Sequence, residues 1–478
     1  MDVTHHQNDI EETTNTINLH DWDSNTDKNN PRNWSSQRKT VSLFIICSIG
    51  FITTLGASIY SPGHEQVSRE FGVSTTVALL PLSSYSLGLA FGPMISSPCS
   101  ETFGRKFVYL LSLPLFDVFM LGAGLSHNMA SLIACRFLAG LFAAPGVSVA
   151  AATISDFTHP DQRVIPLGIY YSIPFTGSAI GPLIGGFAVE SRGWRWTFWV
   201  VLIMATAFHP PALFLRESYK SIIIQQRAKE MGLNDGLIES STRTEKLRQF
   251  ITSTIIRPLH MLMTEPLVGF LCLYTGFQFA LLYTVVVASP WVFKTVYGFS
   301  SSAQALSFLG PVAGCLCASP VLITFDTFLR KRRPPTESRT TFKPERKLYA
   351  ALYGSLVLPV ALFWFGWTSR PSIHWISPII AEGLALLGSL LIYVPCNFYM
   401  MDVYGSKYGA SASGASSLSR YTLSAAFPLF VTQMYKALGV AWATSILAFA
   451  ALAMAPIPWL FYYFGPSLRA RSAYEHGT

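Results

Sequence analysis

The chain has 478 residues; half are hydrophobic and 14% aromatic, and only 13% carry charge. A soluble globular chain has about 25% charged residues, and here long uncharged runs alternate with short basic connectors, which excludes an ordinary soluble protein and points to a polytopic membrane one. The net charge of +8 fits juxtamembrane attraction to anionic lipid and gives no ground for a nucleic-acid partner.

In chain order, residues 1–39 are polar with both signs of charge, and no short apolar core with a small-residue cleavage site opens them. A disordered cytosolic tail is therefore expected, with the first span as an uncleaved anchor. A helix needs about 20 apolar residues to cross the hydrocarbon. Twelve stretches qualify, near 40–60, 77–97, 107–126, 131–153, 164–188, 196–215, 267–292, 303–325, 348–368, 374–400, 411–433 and 440–463. With these boundaries 26 of the 34 Lys and Arg residues fall on the face of both chain ends and 6 on the other. The imbalance predicts that both termini are cytosolic. The remaining two, Arg136 and Arg420, lie within spans. Asn33-Trp34-Ser35, an acceptor pattern for N-glycosylation, falls in the cytosolic tail and is expected to carry no glycan.

The longest internal polar segment, 216–263, divides the spans six plus six, and its "QQRAKEMG" portion is a candidate interfacial helix. The predicted layout is tail 1–39, an N-terminal bundle 40–215, a cytosolic central loop 216–263, a C-terminal bundle 264–464 and a tail 465–478. The fold class expected is an all-α membrane protein of twelve transmembrane helices in two pseudo-symmetric six-helix bundles. A faint echo between the halves supports it: Glu101 precedes Arg105 by four residues, as Asp326 precedes Arg330, each pair following an even-numbered span.

The stretch "GPMISSPCSETFGRKF" breaks from small apolar residues into Glu101, Arg105 and Lys106 and at once returns to an apolar run. Gly92 and Pro93 suit close helix packing, while the charges are expected to emerge into the cytosol. This stretch resembles the loop between spans 2 and 3 of the major facilitator superfamily, in the form found in fungal drug:proton antiporters with twelve spans. The resemblance continues through "NPRNWSSQRK", "RFLAGLFAAPG", "GSAIGPLIGG", "GWRWTFWV", "SPWVFKTVYGFS" and "YMMDVYGSKYGASASGASSLSRYTLSAAFPLF". It implies that Gly92, Glu101, Gly104, Arg105 and Lys106 form a cytosolic latch between the bundles; the alternative is an ordinary positive-inside anchor. Ser100-Glu101 stands where the superfamily at large has an Asp-Arg pair. Gly177, Gly181 and Gly185, four apart with Pro182 and Gly186 beside them, allow another helix to approach, and the resemblance implies an antiporter-type element there.

Ionisable groups inside spans are costly and are functional candidates by default. Arg136, Asp117, Glu382 and Arg420 are the candidates for proton coupling, Arg136 because the resemblance links its RxxxG setting to that role. A snorkelling Arg136, or a static pairing of Asp117 or Glu382 with an arginine, is the alternative. Glu265 and Asp402 stand near cytosolic span ends, and His209 next to Pro210 reads as structural. The seven cysteines sit in or beside apolar segments without metal-ligand spacing, so no metal site and no cofactor is expected. The dipeptide Gly-Lys is absent, and with it any phosphate-binding P-loop.

By analogy with the superfamily, the cavity is walled by inner faces of both bundles. Candidate substrate-binding pairs, each spaced by four, are Tyr171 and Phe175, Tyr274 and Gln278, and Tyr393 and Asn397. The expected function is proton-coupled export of small amphiphilic organic compounds, drugs or a fungal secondary metabolite, by alternating access. The partners are a small-molecule substrate, protons and the lipid bilayer, and the protein is expected to be a monomer in the plasma membrane rather than an enzyme. Nutrient import by symport and a non-transporting membrane sensor are the alternatives.

Overall fold

An apolar run inside lipid must satisfy its backbone polar groups internally, and among the described residues of the computed structural model all regular structure is helical. The structure describes residues 29–159, 162–230, 256–331 and 344–470, together with 22, 27 and 252. Most of the predicted tail 1–39, much of segment 216–263 and the last part of tail 465–478 lie outside these. Of "QQRAKEMG", helix Lys220–Glu230 covers the first residues, while Met231 and Gly232 lie outside the described residues.

Span 1 is Ser36–Ser58, span 2 Thr75–Thr102 and span 3 Arg105–Gly124. Span 4 is Met129–Ala143 continued by Pro145–Phe157, span 5 is Val164–Arg192, and span 6 is Trp196–Phe208 with a 3-10 turn Pro210–Phe214. In the second half, span 7 is Pro266–Tyr297, span 8 is Ser301–Ser307 with Leu309–Lys331, and span 9 is Tyr349–Thr368. The helical run Ile376–Met454 is broken at Gly405 (φ 54°) and Gly439 (φ 74°), which divides it into spans 10, 11 and the start of span 12; Pro456–Arg469 completes the last. By length and composition eleven helical runs can cross a membrane, the final one being Ser411–Arg469 with 59 residues. At 1.5 Å per residue that run is about 90 Å long, roughly three times the hydrocarbon thickness. The break at Gly439 makes it two crossings, and the count is twelve.

The exterior is apolar, with Phe44, Leu111, Val360 and Trp442 exposed, whereas Arg136, Gln278 and Arg420 are buried. That inversion belongs to a chain whose solvent is lipid. Close helix approach follows the small residues. A β-carbon on Gly88 would strike the Phe137 carbonyl and one on Gly140 the Tyr85 carbonyl, so spans 2 and 4 touch backbone to backbone. A β-carbon on Gly177, Gly181 or Gly185 would strike Thr54, Ser58 or Ile59 of span 1. Gly186 points elsewhere, to Ala305 of span 8, so one glycine of this group packs across the two halves.

One correction concerns span 2. It was expected to end near residue 97, but the helix runs to Thr102, so most of the charged stretch is helical and only Phe103 and Gly104 separate it from span 3. Side-chain hydroxyls occupy carbonyls in this proline-interrupted turn: Ser100 donates to Ser97 O at 2.6 Å and Thr102 to Pro98 O at 2.9 Å.

The face bearing both chain ends is called the tail face below. Spans 2, 4, 6, 8, 10 and 12 end there.

Candidate functional site

On the tail face, Gly104 adopts φ 98°, a conformation open to glycine, and turns the chain into span 3. The carboxylate of Glu217, from beyond span 6, sits against that turn and accepts from Arg105 N at 3.0 Å and Lys106 N at 3.1 Å. It therefore caps two of the orphan donors at the helix start, where the helix dipole favours an anion. Arg105 then folds inward. Its Nε donates to Asp156 Oδ2 at 3.3 Å and its Nη1 to Ser100 Oγ at 2.5 Å, and the guanidinium lies 4.8 Å from the Tyr219 ring centre. Burial pushes the Tyr219 phenol up. The pairing with a charge of a nearby helix matches what was expected of Arg105, but its exposure does not: it is 7% exposed because Asp156, Ser100 and Tyr219 take up its charge and donors. Ser100, standing in the superfamily's aspartate position, supplies a neutral acceptor.

Glu101 is exposed and Lys106 half-buried. Gly92 packs on Ala144 of span 4, within its own half. The network Ser100–Arg105–Asp156–Ser218 thus ties spans 2, 3, 4 and the exit from span 6. The C-terminal half has ion pairs Lys347–Asp402 and, at 2.9 Å, Arg469–Glu345 on the same face. Asp326 lines a cleft near that face, while the Arg330 side chain lies outside those described.

On the opposite face, contacts cross between the halves. Lys294 of span 7 donates to both oxygens of Glu65 at 2.8 Å, Ser61 Oγ donates to Val286 O at 3.0 Å, and the Gln433 amide meets the Thr76 hydroxyl at 2.5 Å. None of these residues carries a sequence signal, since the partners are more than 200 positions apart.

Arg136 is fully buried. Its Nε donates to Pro81 O at 3.1 Å, Nη1 to Gly56 O at 2.7 Å and Nη2 to Ala57 O at 2.9 Å, and its guanidinium lies 4.3 Å from the Tyr85 ring centre. Gly56 and Ala57 end span 1, so the cation sits at a helix C-terminus and satisfies carbonyls that no further turn can reach. Among the described residues it has no carboxylate partner, and its full burial excludes a snorkelling route to the surface.

Asp117 does not reach the middle of the molecule. It pairs with His209 at 3.1 Å between spans 3 and 6, which gives both residues a local partner. Glu382 is 2% exposed and lies in an internal pocket of the C-terminal half beside Ser289, Tyr435 and Thr444. Among the described residues its two oxygens make no hydrogen bond of good geometry, and the Ser289 hydroxyl stands beside them.

Three of the six candidate binding residues come together where the halves meet. The Phe175 ring is 5.2 Å from Tyr393, the Tyr171 ring is 6.1 Å from Tyr393, and the Tyr171 hydroxyl reaches Met401 Sδ at 3.0 Å. Phe279 of span 7 packs 4.7 Å from Phe175 and 5.3 Å from Tyr393. Arg420 enters this cluster: Nη1 donates to the Tyr393 hydroxyl and Nη2 to Ser417 Oγ at 3.0 Å, with Phe279, Tyr393 and Tyr421 rings around its guanidinium. Phe398 joins at 5.6 Å from Tyr171 and also lines a cleft among spans 5, 8, 9 and 10.

The other three candidates differ. Tyr274 belongs to the core of the C-terminal half, with Cys396 and Tyr399 in the same cluster. That corrects its placement on the chamber wall: span 7 is mostly apolar and buried on more than one side. Gln278 is fully buried with no partner for either amide atom, and Asn397 donates to Tyr393 O of its own helix at 2.8 Å. Phe279, Tyr421 and Phe398 were missed because single aromatics on apolar spans have no distinguishing period.

The two packed helical halves thus meet at a closely packed aromatic cluster, with charge networks at helix ends. The model of the Major Facilitator Superfamily matches residues 46–428. The chain belongs to that superfamily. Polyamine transporter 4 of Saccharomyces cerevisiae is 34% identical over 485 residues, covering 96% of this chain and 73% of its relative. Efflux pump radE of Floropilus chiversii is 33% identical over 463 residues, 96% of this chain and 86% of that one. A solved structure of the proton:xylose symporter XylE bound to 6-bromo-6-deoxy-D-glucose has a TM-score of 0.65 at 16% identity, covering 90% of this chain and 97% of that chain; it speaks to the fold alone. As a superfamily member the chain is a multi-pass membrane transporter acting on small molecules, not an enzyme.

Proposed function

We propose that the chain is a proton-coupled exporter of small amphiphilic organic compounds, working as a monomer by alternating access in the plasma membrane with both termini cytosolic. The observation that carries this reading is the aromatic cluster at the junction of the halves, built from Phe175 of one and Phe279, Tyr393 and Tyr421 of the other. Rings that meet across the junction hold an amphiphile by area, and they separate when the halves rock. The charge asymmetry of the connectors supports the cytosolic placement of the ends, and the printed name of the radE relative supports export.

For coupling, arginine does not titrate in the useful range, so Arg136 and Arg420 act as fixed charges. Glu382, a buried carboxyl with no basic neighbour in its pocket, is the group that takes up and releases the proton. Asp117, held by His209, is secondary. One proton crossing 100 mV supplies about 2.3 kcal/mol, and one pH unit adds about 1.4 kcal/mol. Together these sustain roughly a several-hundred-fold gradient at one proton per molecule.

The test is flux in proteoliposomes with an imposed pH gradient. Substrate accumulation against the proton flow, lost in Glu382→Gln, is the expected result. Accumulation with the proton flow would make the protein an importer, and flux indifferent to an uncoupler would remove the proton altogether.

A further inference from the structure

Arg420 lies midway along span 11 and is 5% exposed. Two of its donor groups are occupied by the Tyr393 and Ser417 hydroxyls, but among the described residues Nε–H reaches no acceptor, and the hydroxyl of the adjoining Tyr421, buried beside the guanidinium, makes no hydrogen bond of good geometry. The rings of Tyr421, Phe279 and Tyr393 stand 4.8, 4.9 and 5.4 Å from the guanidinium carbon. Its electrostatic neighbours are tyrosines, Tyr393, Tyr421, Tyr170 and Tyr171, and no carboxylate is among them. Without a counter-ion, a buried charge bears the cost of leaving water and recovers only part of it from rings and hydroxyls. Arg136 meets that difficulty with three backbone carbonyls; Arg420 has none.

We propose that the cargo supplies the counter-ion: the chamber recognises a deprotonated aromatic carboxylic acid. The carboxylate accepts from Arg420 Nε–H and from the Tyr421 hydroxyl, and the attached ring lies among Phe175, Phe279 and Tyr393. A guanidinium fork matches a planar carboxylate, and exclusion of water strengthens each charge-assisted bond. A polyamine, being a multiple cation, is repelled by the same group. This inference rests on the exporter reading only in naming what is exported; the site itself is a binding claim.

The experiment uses the full-length protein in lipid nanodiscs and equilibrium binding of radiolabelled 1-naphthoate at pH 7, competed by 1-naphthamide and by spermidine. The amide keeps the ring and loses the charge. It is expected to compete about 10- to 100-fold less well than unlabelled 1-naphthoate, the factor for losing hydrogen bonds to a charged partner, and spermidine is expected not to compete. Arg420→Lys, which keeps the charge without the fork, lowers naphthoate affinity at least tenfold. Tyr421→Phe removes a single hydroxyl, lowers naphthoate affinity several-fold and leaves amide competition unchanged, so a misfolded arginine variant does not leave the question open. No naphthoate binding, equal competition by the amide, or preferential competition by spermidine overturns the proposal. Proton-driven export of neutral compounds with no carboxylate preference would defeat this site and leave the exporter reading standing. Arg420-dependent carboxylate binding with no gradient-driven flux would do the reverse.

Discussion

The two buried arginines, Arg136 and Arg420, look alike in sequence, each a lone cation inside an apolar span, yet their surroundings are opposite. Arg136 is engaged by the carbonyls of Pro81, Gly56 and Ala57 and joins three helices of one half. Arg420 stands among rings at the junction of two halves with Nε–H unengaged. A cation whose donors are all satisfied by backbone holds structure together; one with a free donor at a moving interface is available to a ligand. Sequence position ranks both equally, and only the identity of their acceptors separates them.

The largest effect that tests this contrast is Arg136→Ala. It leaves the buried Gly56 and Ala57 carbonyls without their guanidinium donors, while Pro81 O keeps the Ser84 hydroxyl; at about 1–3 kcal/mol for each unsatisfied group we expect the folded protein to lose about 3 kcal/mol or more, seen as a collapse of the thermal transition in detergent. Arg420→Gln removes an uncompensated buried charge, so its melting temperature is expected to stay near that of the parent while gradient-driven flux falls at least tenfold. A destabilised Arg420→Gln with a stable Arg136→Ala would invert the account.

The tail-face network sharpens the comparison at smaller size. Gly104→Ala forces a side chain into φ 98° and against the Glu217 carboxylate, and should cost about 1–2 kcal/mol. Glu217→Gln keeps the shape of the cap and loses its charge, and a drop of about 0.3–1 kcal/mol is expected; both are read from thermal melts. Smallest in energy is Lys294→Gln, which removes the pair with Glu65 on the opposite face. At about 0–1 kcal/mol for an exposed pair, it shifts the balance of closed and open states by up to about fivefold, measured by labelling of a cysteine beneath that face. A contact between moving halves has to be weak, whereas contacts within a half have no such limit.

Much of the fold was legible. Hydropathy alone marks twelve crossings, because lipid imposes a length and a composition on each, and the pairing of Tyr171 with Phe175 on one helical face was readable from their spacing. What was not legible depends on distant partners. Glu217 caps span 3 from 112 positions away, and a charged residue at a span end such as Arg105 looks solvated until Asp156 and Tyr219 are brought over it. Tyr274 was misplaced because a mostly apolar helix does not reveal which of its faces meets the other half. Glu382 was identifiable as a costly buried acid, but its pocket lies inside one half rather than in the chamber.

The most direct test of the central claim, that the chamber around Arg420 is exposed to each side of the membrane in turn, is thiol labelling of Ser417→Cys in a background without the seven native cysteines. Ser417 touches Arg420, so this position reports on the chamber itself. With a membrane-impermeant maleimide applied from either side while the proton gradient is reversed, the account predicts labelling from both sides with opposite gradient dependence. Labelling confined to one side under every gradient would contradict it.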